Sequence, residues 1–341
     1  MPSCRRIIAV FRDECSDNAA SGASMKLIIQ IPCYNEEATL VETLRSLPRK
    51  VSGFNSVEWL VIDDGSTDRT VEVARECGVD HIHSLPHNQG LAAAYMSGLE
   101  TALCLGADVV VNTDGDNQYK AAFIEDLTRP ILSGEAQIAI GARPIGKIAH
   151  FSPVKRILQG LGSWVVRKAS GLDVADAPSG FRAIHRSAAV RLFVFNRYTY
   201  TLETIIQAGY LNIPVVSVPV DVNPPTRKSR LMRSMLHYIA RSAMTIFRIA
   251  VLYRPFRAFS IASVLLFLPG TAVFLRFLYL FAIGEGSGHV QSLVIGATLI
   301  ATAAILFVGG IIADLIAANR TLLTEIRARQ TATLGTARQV Q

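Results

Sequence analysis

The chain has five cysteines, Cys4, Cys15, Cys33, Cys77 and Cys104, an odd set with no pair at CxxC spacing. That argues against a disulfide framework and reads as reduced cytosolic thiols. No nucleic-acid-binding motif occurs, and the aromatic residues do not interleave with the basic cluster. The formal net charge of +7 is therefore read as affinity for phosphate and membrane surfaces, with no nucleic acid expected as partner. Residues 32–37, behind the first apolar run, contain no glycine, so the phosphate-cradling loop expected of a nucleotidyltransferase is missing. The apolar stretch 7–11 is too short for a signal-peptide core and runs straight into Arg12, Asp13 and Glu14. Residues 1–24 are expected to be a disordered extension.

What the chain has in excess is apolar length. Half of its residues are hydrophobic and its mean hydropathy is +0.33. The excess falls late. Residues 259–283 carry a single charge, Arg276, and residues 290–318 carry only Asp314 near their end. The first run would extend about 37 Å as a helix, against a hydrocarbon core of about 30 Å. Residues 284–289 join the two as a tight turn, so a transmembrane hairpin is expected over 256–320. Arg254 and Arg257 precede it, Arg320, Arg327 and Arg329 follow it, and the turn has no Lys or Arg. Both ends of the hairpin are then expected in the cytoplasm, with 321–341 as a cytoplasmic tail. Arg276 lies close enough to the outer boundary to snorkel.

Ahead of the hairpin, Thr226-Arg-Lys-Ser-Arg230 forms a basic loop. Met235, Ile239, Ala243, Ile246 and Ile249 then recur at helical spacing against Arg233, Arg241 and Arg248. The segment 226–255 is expected to end in an amphipathic helix lying in the membrane interface.

The first part of the chain alternates short apolar runs with helical patterns. Runs at 26–31, 57–62 and 107–111 read as strands, and 38–47 and 68–77 read as helices, the second with Asp68 as N-cap. Such alternation argues for parallel strands with crossover helices, and ligands bind at the carboxyl ends of such strands. Each run ends in polar residues: Pro32-Cys-Tyr-Asn-Glu-Glu37, Asp63-Asp-Gly-Ser-Thr-Asp68 and Asn112-Thr-Asp-Gly-Asp-Asn-Gln-Tyr119. In the third, Asp114 and Asp116 flank a glycine that permits a sharp turn, so both carboxylates can converge on one hard cation, with Gln118 a further donor. An Asp-Gly turn is common in its own right. Its recurrence at the same edge as the other two clusters favours a site.

The ordered series Pro32-Cys-Tyr-Asn-Glu36, Asp63-Asp-Gly-Ser66, Asn88-Gln-Gly90, Asp114-Gly-Asp116 and Ser179-Gly-Phe-Arg182 resembles that of the family 2 glycosyltransferases. More narrowly, the chain resembles the polyprenyl-phosphate sugar transferases, the group that includes dolichyl-phosphate mannose synthase. Two motifs depart from the pattern. The family's Asp-Ala-Asp-Leu-Gln is here Asp114-Gly-Asp-Asn-Gln118, and the acceptor loop ends in Ser-Arg230 where Ser-Lys is usual.

The resemblance implies an α/β fold. A GT-A-type (Rossmann-like), mixed and mostly parallel sheet domain would occupy 25–225, ahead of the interfacial helix and hairpin. It implies a nucleotide-sugar donor, a polyprenyl-phosphate acceptor at a lipid bilayer, and Mg²⁺ or Mn²⁺ on Asp114, Asp116 and Gln118. A second copy of the chain stays open as a partner. Pro32, Tyr34 and Glu36 would line the nucleotide pocket, with Asn88 and Gly90 beside them, while Asp63 or Asp64 would accept from base or ribose. Arg143, Arg156 and Arg182 are candidate phosphate clamps, since Arg forks match phosphate oxygens, with a solvated surface charge as the ordinary alternative. Arg227 and Arg230 would meet the acceptor phosphate. Glu203 stands where related transferases carry an acid. It would position the sugar or an Arg for a phosphate acceptor, and act as base for a hydroxyl acceptor. The Gln-x-x-Arg-Trp motif of polysaccharide synthases is absent, since the two tryptophans are Trp59 and Trp164.

Overall fold

The computed structural model describes residues 25–144, 163, 166–168, 170–194, 200–223, 244, 251, 255–284 and 286–339. The extension 1–24 lies outside the described residues, as does the segment 226–255 except for positions 244, 251 and 255.

Seven strands form one sheet: β1 (Lys26–Cys33), β2 (Ser56–Asp63), β3 (His81–Ser84), β4 (Val109–Asn112), β5 (Ile138–Ala142), β6 (Arg182–His185) and β7 (Val215–Pro219). Their order is β3-β2-β1-β4-β6-β5-β7. Neighbours pair in parallel except at β6, which is antiparallel to both β4 and β5. The sheet is mixed and mostly parallel. The connecting helices are α1 (Leu40–Ser46), α2 (Thr70–Glu76), α3 (Leu91–Cys104), α4 (Ile124–Leu132), α5 (Arg186–Ala189) and α6 (Thr201–Tyr210).

The central strands are continuous apolar runs because both faces are covered. On one face Leu27, Ile29 and Ile31 of β1 join Leu40 and Leu44 of α1 and Leu127 of α4 in a single core. Alternate residues point the other way, and there α3 packs closely. A Cβ on its Gly98 would lie 2.6 Å from Gln30 Oε1 and 2.9 Å from an Ile62 side-chain carbon, so only glycine allows that approach.

The register gathers the polar clusters. Cys33 pairs with Asp63 and Asp63 with Ser84, Asn112 pairs with Arg182, and Ala142 with Pro219. The carboxyl ends of the parallel strands and the amino end of β6 therefore share one edge. One boundary differs from expectation. Helix α2 begins at Thr70 with Arg69 at the N-cap, and Asp68 stands one residue earlier. Its carboxylate still accepts from Thr70 N at 3.0 Å and Glu37 N at 3.2 Å, the second bond tying it to the neighbouring loop.

The late apolar runs form α7 (Pro255–Ala282) and α8 (Val290–Gln339). α7 and residues 290–319 of α8 are long and apolar enough to cross a membrane, with mean hydropathies of 2.1 and 2.4. They pack on each other through small residues. Ser263 Oγ donates to Ala303 O at 2.8 Å, and a Cβ on Gly296 would come within 3.0 Å of Phe274 N. Outward residues such as Leu265 and Ile305 are exposed, as on a lipid-facing surface. The segment expected as a tail continues α8 to Gln339, since 321–339 is rich in good helix formers and contains no proline.

Candidate functional site

Two loops at the common edge are laced together. Asn35, held at φ 53°, donates its backbone N–H to Ser66 Oγ at 3.0 Å, while its Oδ1 accepts from Thr67 N at 2.8 Å. Glu36 N donates to Thr70 Oγ1 at 2.9 Å, and Arg69 N to Glu37 Oε2 at 3.0 Å. The turn after β2 requires Gly65, at φ 69°, where a Cβ would strike the His87 backbone at 2.6 Å. Tyr34 projects from this wall, 39% exposed, whereas Pro32 and Glu36 are buried.

Asp63 and Asp64 differ from expectation. Both are buried, and the chain itself donates to one oxygen of Asp63 and to both oxygens of Asp64. Asp63 Oδ1 accepts from Ser66 N at 2.9 Å. Asp64 accepts from Gln89 N at 2.7 Å on one oxygen and from Gly90 N at 2.9 Å on the other. Asp64 in particular fastens the loop after β2 to the start of α3. Gly90, at φ 94°, caps α3, and Asn88 beside it is exposed.

The turn after β4 lies against this wall. Thr113 N donates to Gln30 O at 3.1 Å, and Thr43 Oγ1 donates to Gly115 O at 3.0 Å. A Cβ on Gly115 would lie 3.1 Å from Cys33 Sγ, so the turn sits close over the end of β1. Asn117 adopts φ 55°, and Asp116 Oδ1 accepts from Gln118 N at 3.2 Å. Asp114, Asp116 and Gln118 stay partly exposed while Gly115 and Asn117 are buried. Burial pushes the Cys33 thiol well up, and the charges of Glu36, Asp63, Asp114 and Asp68 push it further. Negative charge thus accumulates around this edge.

Among the described residues no three His, Cys, Asp or Glu side chains form a ready-made cation cage. The half-exposed, all-oxygen set of Asp114, Asp116 and Gln118 on one turn nevertheless fits a hard divalent cation that takes its remaining ligands from substrate.

The opposite wall is built from residues 176–182 and the start of α6. Arg143, expected as a phosphate clamp, is instead committed to Asp176. Its Nε donates to Oδ2 at 2.6 Å and its NH2 group to Oδ1 at 3.0 Å, with Asp176 fully buried. Burial alone would pull the Arg143 pKa down, but Tyr119 and Asp176 raise it above the ordinary arginine value. Arg182 also departs from the clamp expectation. It is 1% exposed, and it donates to Ser179 O, Ala177 O and Thr201 O, each at 2.9 Å, and to Thr204 Oγ1. A side chain so enclosed organises the wall and is neither a surface charge nor an open clamp. Burial lowers its pKa. Glu203 is likewise buried, in the first turn of α6. Arg156, Arg227 and Arg230 lie outside the described residues.

Sequence reasoning gave no role to Asp176 or Tyr200, nor to Asn112 and Tyr119 at the two ends of the third polar cluster. Tyr119 OH accepts from Gly180 N at 3.1 Å, and its ring stacks on Phe181 with centroids 5.1 Å apart. An aspartate six residues before an arginine carries no signal of its own. A lone asparagine ending a valine run was the one available hint.

Comparison with known proteins agrees with this geometry. A family profile described as Glycosyl transferase family 2 matches residues 28–198, half of the chain. The UDP-N-acetylglucosamine–dolichyl-phosphate N-acetylglucosaminyltransferase of Methanococcus voltae is 26% identical over 220 residues, covering 58% of this chain and 86% of that protein. The polyprenol monophosphomannose synthase of Mycolicibacterium smegmatis is 26% identical over 215 residues, covering 60% and 80%. Among solved structures, glucosyl-3-phosphoglycerate synthase from Mycobacterium tuberculosis, seen with Mn²⁺, UDP-glucose and phosphoglyceric acid, aligns with a TM-score of 0.53. It shares 20% identity, covering 72% of this chain and 82% of that one. At that identity the likeness is one of fold.

Proposed function

This chain belongs to glycosyl transferase family 2, and from that premise we propose that it moves a hexose from a UDP- or GDP-sugar to a membrane polyprenyl phosphate, inverting the anomeric carbon. The observation that carries the reading is the Asp114-Gly115-Asp116 turn, whose two carboxylates stay partly exposed at the sheet edge beside the laced loops. The relatives named for dolichyl-phosphate and polyprenol transfer support the acceptor class, as do the two apolar helices.

In this reaction an oxygen of the acceptor phosphate forms the new bond to the anomeric carbon. The bond to the donor's diphosphate breaks, and its electron pair leaves with the nucleoside diphosphate. A phosphate monoester, with a second pKa of about 6, is already largely dianionic at neutral pH, so no side chain has to remove a proton. Asp114 and Asp116, with Gln118, would hold Mg²⁺ or Mn²⁺. That ion, when bound, supplies Lewis-acid neutralisation of charge developing on the diphosphate. The fold neighbours seen with Mn²⁺ or Mg²⁺ and UDP support this assignment. Tyr34 offers an exposed ring to the nucleotide, and Pro32 lies at the end of β1 on the same edge, with Asp63 and Asp64 fixing the wall. Arg143 and Arg182 keep the opposite wall in place. Glu203, buried in the first turn of α6, would position the sugar or an arginine of this wall. Arg227 and Arg230, with Arg156, would receive the acceptor phosphate. On this reading the sheet domain lies on the cytoplasmic side and the hairpin crosses the membrane twice.

The test is to incubate the purified full chain in detergent with undecaprenyl phosphate and a panel of UDP- and GDP-sugars, then identify lipid products by mass spectrometry. A hexosyl phospholipid is expected with at least one donor. Transfer only to a hydroxyl acceptor would overturn the phosphate assignment. So would complete loss in Glu203→Gln alongside wild-type behaviour of Arg227→Ala and Arg230→Ala.

A further inference from the structure

Beneath the Asp114 turn runs a buried polar row that the proposed chemistry does not use. Gln30 on β1, Asn112 on β4 and Arg182 on β6 are register partners on three adjacent strands, and each is at most 1% exposed. Buried polar groups are costly unless matched: Gln30 and Asn112 are bonded to each other and Arg182 to the start of α6, while Gln30 Oε1 has no partner among the described residues. Asn112 stands at the centre. Its Oδ1 accepts from Gln30 Nε2 at 2.8 Å, and its Nδ2 donates to Gly180 O at 2.8 Å and to Tyr200 OH at 3.0 Å. The Tyr200 hydroxyl in turn donates to Gly180 O at 3.4 Å. Arg182 closes the arrangement by donating to Thr201 O and Thr204 Oγ1 in the first turn of α6.

Gly180 shows why the spacing is tight. A Cβ there would lie 2.9 Å from the Tyr200 hydroxyl and 3.1 Å from Asp114 Oδ1. Only a bare glycine backbone therefore separates the phenol from the carboxylate of the proposed cation turn. Burial and then the Asp114 charge push the Tyr200 phenol well up, which keeps it a neutral hydrogen-bond donor. Tyr200 also stands at the N-cap position of α6, the helix that carries Glu203 three residues later.

We propose that Tyr200 is a positioning residue. Through Asn112 and Gly180 its hydroxyl fixes the spacing between the Asp114 turn and the helix start that carries Glu203. The proposal rests on the transferase reading above.

The fold contains its own control. The Tyr200 ring stacks on Tyr95, with centroids 3.8 Å apart and planes 9° from parallel, and both rings are buried. Unlike that of Tyr200, the Tyr95 hydroxyl has no hydrogen-bond partner among the described residues. Phenylalanine at either position keeps the stack, but only at 200 does it remove bonds that reach the site.

The experiment compares Tyr200→Phe and Tyr95→Phe with the wild-type full chain, measuring kcat, donor KM and thermal midpoint. Tyr200→Phe is expected to lower kcat at least fivefold with donor KM changed less than twofold, while Tyr95→Phe keeps the wild-type kcat. A wild-type kcat in Tyr200→Phe overturns the positioning role. Equal losses in both variants, or a loss in Tyr200→Phe explained by a lower thermal midpoint, overturn it as well. Absence of transfer by the wild type with every donor removes the reaction itself, and the positioning role with it.

Discussion

Asp64 takes the backbone N–H groups of Gln89 and Gly90, one on each carboxylate oxygen, and so ties the loop after β2 to the amino end of α3. A sequence motif that looks like a ligand contact is here a fastening between two loops. It ties that loop to the start of α3, where Gly90 takes the positive φ that glycine adopts readily.

Asp64→Asn keeps one oxygen acceptor and loses the other together with its charge. A charge-assisted bond contributes about 1.5–3 kcal/mol, so donor KM should rise by roughly ten- to a hundredfold with kcat less affected. Steady-state kinetics across donor concentration would show this. An unchanged KM would mean the fastening does not reach the donor site.

Removal of divalent ions by EDTA should abolish transfer, and Mg²⁺ or Mn²⁺ should restore it. Asp116→Asn should lose activity by about two orders of magnitude or more while its thermal midpoint stays near wild type, because Asp116 is partly exposed and carries little packing. Full turnover in EDTA would rule out the cation on this turn.

Acid sensitivity should trace in part to His185. Burial, with Arg186 adding to it, lowers its pKa from 6.5 to about 4. The unfolded chain then binds a proton that the folded chain refuses. This contribution to stability is present above pH 6.5 and is lost as pH falls from about 6.5 to about 4. Asn at 185 does not titrate and is a favoured N-cap residue. Chemical denaturation between pH 7 and 4 should show a shallower loss of stability for His185→Asn than for wild type. Identical slopes would assign the acid sensitivity elsewhere.

Single-cysteine labelling in membrane vesicles should find residues 284–289 reachable from outside and Gln341 reachable only from the cytoplasmic face. Arg254, Arg257 and Arg320 flank the apolar helices while their connecting turn has no Lys or Arg. An externally labelled carboxyl terminus would mean that one of the two helices does not span.

Much of the architecture was legible in the sequence. The apolar runs that became β1, β2 and β4, the polar clusters closing each run, and the two late apolar helices all follow from local composition and period. The order of the motifs pointed to the family. The antiparallel insertion of β6 between β4 and β5 was not legible, because Arg182–His185 is four residues long and opens on an arginine. Whether a charged residue serves ligand or fold was also hidden. Asp64, Arg143 and Arg182 carry the residue types of a binding site, yet their side chains are engaged by Gly90, Asp176 and the Thr201 carbonyl.

The sequence by itself determined the alternating sheet domain, the acidic turn at Asp114 and Asp116, and the apolar hairpin, because strand period, turn chemistry and hydrophobic length are local properties of a chain. Only the tertiary structure decided which polar groups face the pocket and which hold it. That depends on partners far apart in sequence: Asp176 for Arg143, and Tyr200 and Gly180 for Asn112. A buried polar group must be matched by whatever the fold brings beside it, and no local pattern encodes that match.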